Sequence, residues 1–368
     1  MSPYIPNLLP LDNIDCQRLL TFVGNARAAI GRYDGLLHGI VNPTIMLSPL
    51  TNEEAVLSSR IEGTQATIDE VLEHEAGMKK DVKKSEDIQE IINYRKALMS
   101  AWSELEERPL TLHLLREMHK ILLSGVRGHN KNPGEVRKEQ NWIGTLGCSI
   151  EKATFVPPNP MQLSNYLENW ERYASGNDID VLIQTGILHA QFELLHPFKD
   201  GNGRLGRIII PLFLFQKQAL SRPMFYLSAY LEANRDEYYA KLQNISKFND
   251  WNGWLEFFLT ATTKQADANS VKIKKIITLY EEMKTRIYEV TKSKFVIQVL
   301  DVLFSRPIFS TKDFIIAIKE ISKPTAMLLL KQLKKADILL EIQAGSGRRA
   351  AILCFPSLLN ITEDKKII

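Results

Sequence analysis

Apolar residues recur at three- and four-residue spacing through most of this chain, and that spacing predicts a mostly helical protein. Helices are expected over 13–35, over 52–75 with Thr51 as N-cap after the breakers Pro43 and Pro49, over 85–106, and over 111–124. Between Gly125 and Pro160 the texture changes to Gly, Pro, Asn and polar residues. This stretch reads as a long functional loop carrying a small β-hairpin, with β-type pieces at Asn141–Ile143 and Ala153–Val156. Helical spacing returns over 161–174, 178–195, 204–218, 234–245 and 251–287.

From about Ser293 the plan differs. Helices are expected over 295–305, 311–319 and 323–337, the last with Ser322 as N-cap and Pro324 in its first turn. Strand-like runs at 339–343 and 350–355 then flank a tip, Gly345-Ser-Gly-Arg348-Arg349. Three helices followed by a basic-tipped hairpin is the element order of a winged helix-turn-helix.

Composition changes this picture little. At 368 residues the chain has room for two or three domains. Residues 291–368 hold 13 Lys and Arg against 7 Asp and Glu, a basic tail on a near-neutral body. Such a balance fits either nucleic acid contact or ordinary surface charge. Cys16, Cys148 and Cys354 form no metal spacing and are expected to be reduced in a cytoplasmic protein. The first ten residues lack the build of a signal peptide, and no apolar run reaches the length of a membrane span, so no membrane partner is expected.

The chemistry concentrates in one run, His196-Pro-Phe-Lys-Asp200-Gly201-Asn202-Gly203-Arg204-Leu205-Gly206-Arg207. A lone histidine or arginine is ordinarily structural; this conjunction within twelve positions is not. Pro197, Gly201 and Gly203 interrupt the helical pattern, and a new helix then opens, leaving unpaired N–H groups and partial positive charge for an anion. Glycine lets a phosphate approach the backbone. Arg204 and Arg207, three apart, offer forked hydrogen bonds to one polyphosphate. Asp200 offers hard oxygen to Mg²⁺, and His196 suits a general base. His189 reads as structural, and Trp251 and Trp254 as core.

The run resembles the Fic family of protein adenylylyltransferases, whose signature is His-Pro-Phe-x-Asp-Gly-Asn-Gly-Arg-x-x-Arg; every fixed position matches. The resemblance implies a Fic-type helical bundle over roughly 1–290. An N-terminal helical region spans 1–110, with an inhibitory helix near 52–75, and a catalytic core spans 111–290. A winged helix-turn-helix domain follows at 291–368. It implies AMP transfer from ATP, with Mg²⁺, to Ser, Thr or Tyr hydroxyls of target proteins, self-modification included. His196 would deprotonate the hydroxyl, and Asp200 would hold the metal. Gly201, Asn202 and Gly203 would form the anion hole, with Asn202 near the α-phosphate. Arg204 and Arg207 would meet the β- and γ-phosphates, with Leu205 and Gly206 completing the nucleotide-binding run. Tyr239, rather than Tyr238, would lie against the nucleoside. Thr154, Phe155 and Val156 resemble the flap that pairs with the target as an added strand.

Ser58-Ser-Arg-Ile-Glu62-Gly63 is similar to the family's inhibitory pattern. Ser58 and Glu62 stand four apart, on one face of the expected helix, and Glu62 is expected to pair with Arg207 and hold the enzyme inactive. AMP removal on the same site, and a DNA-binding regulator that senses nucleotide, are the alternative readings. Similar proteins self-associate, so a homodimer is an expected partner state. The tail domain is expected either to bind DNA, with Arg348 and Arg349 at its tip, or to serve protein docking.

Overall fold

The computed structural model describes residues 2–40, 42–145, 147–347 and 349–363. Its helices, in chain order, begin with α1 (Cys16–His38), α2 (Pro43–Met46), α3 (Ser48–Ile61), α4 (Ile68–Glu75), α5 (Val82–Leu105) and α6 (Leu112–Leu122). There follow α7 (Pro160–Ser175), α8 (Val181–Leu195), α9 (Asn202–Gln216), α10 (Ser228–Ala233), α11 (Arg235–Phe248) and α12 (Trp251–Thr291). The last are α13 (Val296–Ser305), α14 (Thr311–Ala317), α15 (Lys323–Lys335) and α16 (Pro356–Glu363). Strands β1 (Ile308–Ser310), β2 (Leu340–Gln343) and β3 (Ile352–Cys354) form one antiparallel sheet in the order β1–β3–β2.

Two compact units emerge. The first comprises Met1–Asp34, Leu57–Gly63 and Ile92–Asp267. Its centre is α8, whose residues 182–192 are all buried, as expected of a helix apolar on every side. Asp180 caps it, its carboxylate accepting from Leu182 N–H at 2.7 Å and Ile183 N–H at 3.3 Å, and it also pairs with Arg27. The indoles of Trp170 and Trp254 donate to the α8 carbonyls of Leu188 and Gly186, at 2.9 Å each. Gly186 is small for a reason: a Cβ there would meet Phe258 Cδ1 at 2.9 Å and Leu255 Cδ2 at 3.0 Å. Helix α9 packs along α8, with α7 and α11 beside it and α6 against α9. Trp251 and Trp254 are core residues, as their sequence setting implies.

The second unit comprises Gly35–Val56, Thr64–Ile91 and Ala268–Ile368. In it α13 packs on α2, β1 lies against α4, and α14 packs on α15. Ser322 caps α15, its hydroxyl accepting from Thr325 N–H, with Pro324 in the first turn. Arg349 makes the bridge of the tip with Ser346, and Arg348 lies outside the described residues.

Two expectations need correction. The continuous helix over 52–75 is two helices. The first starts earlier, at Ser48 with Pro49 in its opening turn, so Thr51 is an interior residue rather than a cap. It stops at Ile61 because Gly63 takes φ +97°, a left-handed value that ends a helix at little cost only for glycine. Thr67 then opens α4 through a reciprocal capping box with Glu70. The flap hairpin is also less regular than expected. Its strands reduce to a single antiparallel bridge, Ile143 to Phe155, with hydrogen bonds of 2.8 and 3.1 Å.

Replacing Asp180 by Ala removes the cap of the central helix. The expected loss is about 1–2 kcal/mol, read from the denaturant midpoint, with Asp180→Asn losing less.

Candidate active site

Helix α8 ends at His196, which takes a left-handed conformation (φ 46°, ψ 61°) and turns the chain into the loop before α9. Gly201, also left-handed at φ 75°, turns it back. The loop is braced from three sides. Within it, the Asn202 amide clasps Phe198: Oδ1 accepts from Phe198 N–H at 2.9 Å and Nδ2 donates to Phe198 O at 2.8 Å. From α6, His119 Nδ1 accepts the Gly134 N–H at 2.7 Å, so Nε2 carries the proton and donates to Asp200 O at 2.9 Å. The same ring stacks on Phe198 at 3.9 Å, and burial pushes its pKa down to about 4.

Arg137 is the third brace. Its guanidinium donates to the carbonyls of His196 (3.0 Å), Pro158 (2.6 Å), Glu139 (3.3 Å) and Leu195 (3.4 Å), and its own N–H reaches Pro197 O at 2.9 Å. One buried side chain thus ties the segment after the flap to the residue that ends α8. Burial pushes its pKa down to about 10, so it stays charged at neutral pH.

At the start of α9, Leu205 N–H bonds back to Gly201 O at 3.1 Å, and a helix N-terminus such as this offers its first-turn N–H groups to an anion. The carboxylate of Glu62 sits there. A Cβ on Gly203 would lie 2.3 Å from Glu62 Oε1 and 3.1 Å from Arg207 Nη1. Glu62 Oε1 also accepts from Arg207 Nη2 at 2.8 Å. Arg207, 1% exposed, is further held by Ser58, donating from Nε to its hydroxyl and from Nη2 to its carbonyl, both at 2.8 Å. Glu62 itself lies in the turn past the end of α3, not on the helix face shared with Ser58 that its spacing implies. The Gly63 turn carries its carboxylate to Arg207 all the same.

The charges respond to this packing. Burial raises the Glu62 carboxyl, but Arg207, and after it Arg204 and His196, outweigh burial and hold it below the ordinary carboxylate range. The pair's contribution to stability is therefore complete above that range and is lost as pH falls through the lower folded value. Burial, and next the charge of Arg137, push His196 down to about 4, so its imidazole is neutral at pH 7. Asp200, half-buried, accepts Gly201 N–H at 2.6 Å and lies 3.6 Å from Arg204.

The remaining sequence-selected residues divide. Tyr239 is 42% exposed with Arg235 over its ring, while Tyr238 is buried with its hydroxyl 3.0 Å from His189 Nε2. His189 Nδ1 lies 3.0 Å from Gly206 O, so this histidine is structural. Leu205 and Gly206 point into the α8–α9 packing: Leu205 is wholly buried, and Gly206 faces Glu193. The side chain of Asn202 is spent on Phe198. Of the flap, Phe155 makes the bridge, Val156 O accepts from Tyr4 N–H at 2.9 Å, and Thr154 is exposed. Sequence reasoning passed over His119 and Glu193, and assigned Arg137 no role. A histidine in an amphipathic helix and a glutamate among apolar neighbours carry no local signal.

Among the described residues no three His, Cys, Asp or Glu side chains cluster to hold a metal. Asp200 offers hard oxygen near Arg204, which suits a cation that takes its other ligands from phosphate. No described helix is long and apolar enough to cross a membrane.

The profile of the Fic/DOC family N-terminal region matches residues 20–103, and that of the Fic/DOC family matches 109–214, together about half of the chain. A probable protein adenylyltransferase of Aquifex aeolicus is 29% identical over 198 residues, 52% of this chain and 56% of the relative. A protein adenylyltransferase of Caenorhabditis elegans is 26% identical over 170 residues, 45% of this chain and 28% of the relative. The chain thus spans about half, or less, of the length of these relatives. In fold it is similar to a Fic family protein from Desulfovibrio desulfuricans (TM-score 0.58, 18% identity, 96% of this chain and 98% of that one). It is also similar to a fragment of C. elegans Fic-1 (TM-score 0.52, 20% identity, 72% and 73%).

Arg137→Met should cost about 2–4 kcal/mol, because several buried carbonyls lose a charged donor together. The denaturant midpoint reads the loss. On the acid side, Glu62→Gln should remove part of the stability gained as pH rises from the lowered folded value of Glu62 to the ordinary carboxylate range, read from melting temperature against pH.

Proposed function

The chain belongs to the Fic/DOC family, and from that premise we propose that it transfers AMP from ATP to a protein hydroxyl and is restrained by Glu62. The observation that carries the reading is the place of the Glu62 carboxylate: over the first turn of α9 and against Arg207, an anion already in an anion site. In the active state the triphosphate takes that place. The first-turn N–H groups of α9 receive α- and β-phosphate oxygens, Arg204 supports the β-phosphate, and Arg207 receives the γ-phosphate. Tyr239 flanks the nucleoside.

Neutral His196 accepts the proton of the target hydroxyl. The hydroxyl oxygen attacks the α-phosphorus, the bond to the bridging oxygen of the β-phosphate breaks, and pyrophosphate leaves with the electron pair. The protein supplies placement and fixed positive charge more than covalent chemistry. Asp200 would hold Mg²⁺, which when bound neutralises phosphate charge. The loop around Thr154–Val156 would seat the target backbone.

Restraint follows from the same geometry. Glu62 fills the γ-phosphate position and uses the donors of Arg207, so a productive triphosphate must displace it.

A second reading concerns residues 291–368. The order α13, β1, α14, α15, β2, β3 supports a winged helix-turn-helix. A groove of about 750 Å³ lined by Met327, Lys331, Lys334, Ser346 and Arg349 carries the basic character a DNA duplex requires. Binding of the full chain to duplex DNA that weakens steeply with salt supports this reading; no binding at low salt removes it.

Glu62→Gly should raise incorporation of α-labelled ATP into the protein itself by about tenfold or more, the scale of one lost charge-assisted competitor. Equal incorporation by both proteins, each folded, removes the restraint. Adding His196→Ala should abolish transfer while ATP still binds. With the His196 pKa near 4, kcat/KM of Glu62→Gly should hold level from about pH 7 down to about 5 before falling.

A further inference from the structure

One buried carboxyl beside Arg207 has no part in the mechanism above. Glu193 stands on α8 one turn before His196. Gly206 faces it so closely that a Cβ there would meet Glu193 Oε1 at 2.2 Å and Phe192 Cδ1 at 3.4 Å. That oxygen is buried and has no hydrogen-bond partner among the described residues. An unsatisfied buried carboxyl oxygen is costly, and such a group calls for a role. The charges that act on it are those of Arg207 on α9, next in sequence to Gly206, and of Glu62 in the turn after α3, and its own charge acts on the phenols of Tyr238 and Tyr239 on α11. His189, on its own helix, contacts Tyr238. Arg207 directs its hydrogen bonds to Ser58 and Glu62, and none reaches Glu193.

We infer that Glu193 is a positioning residue for Arg207. It is a second counter-ion, kept neutral by its proton while Arg207 faces another anion. When ionised, it draws Arg207 away from the terminal phosphate of a bound nucleotide. The inference rests on the reading in which Arg207 receives the γ-phosphate.

Its protonation fits that role. Burial raises the Glu193 carboxyl, Arg207 lowers it and the charge of Glu62 raises it again, and the balance pushes it up to about 8. The neighbours do not titrate there. Burial holds His189 down to about 4, pushes Tyr239 up to about 12 and keeps Tyr238 well above the ordinary phenol value. A γ-phosphate on Arg207 adds negative charge near Glu193 and so raises its pKa further in the complex. Binding is then favoured by the protonated form, and affinity falls as pH rises past the free-state value. ADP lacks the terminal phosphate and escapes the effect. Removing Glu62 lowers the free-state value, so in Glu62→Gly the fall begins at or below pH 8.

The test is calorimetric titration of the full-length Glu62→Gly chain with ATP and with ADP, in Mg²⁺, at about pH 7 and pH 9. ATP affinity should fall about tenfold between the two, the effect of one unit of pKa difference between free and bound states. ADP affinity should change less than about twofold. Glu193→Gln in the same background should bind ATP equally at both pH values. An ATP affinity level with pH, or a fall that persists in Glu193→Gln, overturns the inference. Should that variant not fold, carbon-13 titration of the glutamate carboxyls in Glu62→Gly replaces it. A carboxyl titrating near 8 that moves up with ATP is expected, and its absence overturns the inference. Failure of Glu62→Gly to bind ATP at either pH removes the nucleotide reading itself, and this inference with it.

Discussion

A guanidinium buried to 1% exposure must have an anion beside it, and the site is organised around that requirement. Arg207 meets it here with the carboxylate of Glu62, supported by the hydroxyl and carbonyl of Ser58. The N-terminus of α9 adds a second demand for negative charge in the same place, and one carboxylate serves both. Arg207 itself is thus fully paired, by groups of this same chain. In the proposed reading, activity consists of exchanging one anion for another on a fixed cation, so the restraint and the substrate site are the same physical object.

Exchange of this kind needs a frame that does not move with the anion. The frame is built from side chains that touch no phosphate in the proposed mechanism. His119 fixes the carbonyl of Asp200, Asn202 clasps Phe198, and Arg137 draws the carbonyls of Leu195, His196 and Pro158 to one point. The α8–α9 packing supplies the rest, with glycine wherever another group comes close: Gly186 under Phe258, Gly203 under Glu62, Gly206 under Glu193. Two of these three glycines lie inside the conspicuous run, and their smallness admits acidic side chains of this same chain. Gly203 thereby serves a carboxylate in this state and a phosphate in the proposed one.

Most of the helices were legible because their apolar spacing is the cause of their packing. Helix α8 is the clearest case, since burial on every side leaves an apolar run with no polar stripe. The loop of 196–207 was legible through glycines and charged groups that no core would assemble. Boundaries were legible only where a cap could be recognised. Ser322 was; the Thr67–Glu70 capping box, present in the sequence, is what divides the expected helix over 52–75. Glu62 falls outside that helix because of the backbone of Gly63, yet it reaches Arg207, since pairing depends on where the turn aims the carboxylate. Strand β1 and helix α16 escaped notice because each is short and defined by its neighbours in space. Glu193 and His119 escaped because burial, not residue type, makes them consequential.

Comparing ATP with AMP isolates the contact on which all of this depends, since AMP has no phosphate that reaches Arg207 in the proposed pose. Affinities of both nucleotides for the native chain and for Glu62→Gly form the direct measurement. Competition between Glu62 and the γ-phosphate predicts that the substitution tightens ATP by about tenfold or more and AMP by clearly less. Equal tightening of both, or of neither, would contradict it.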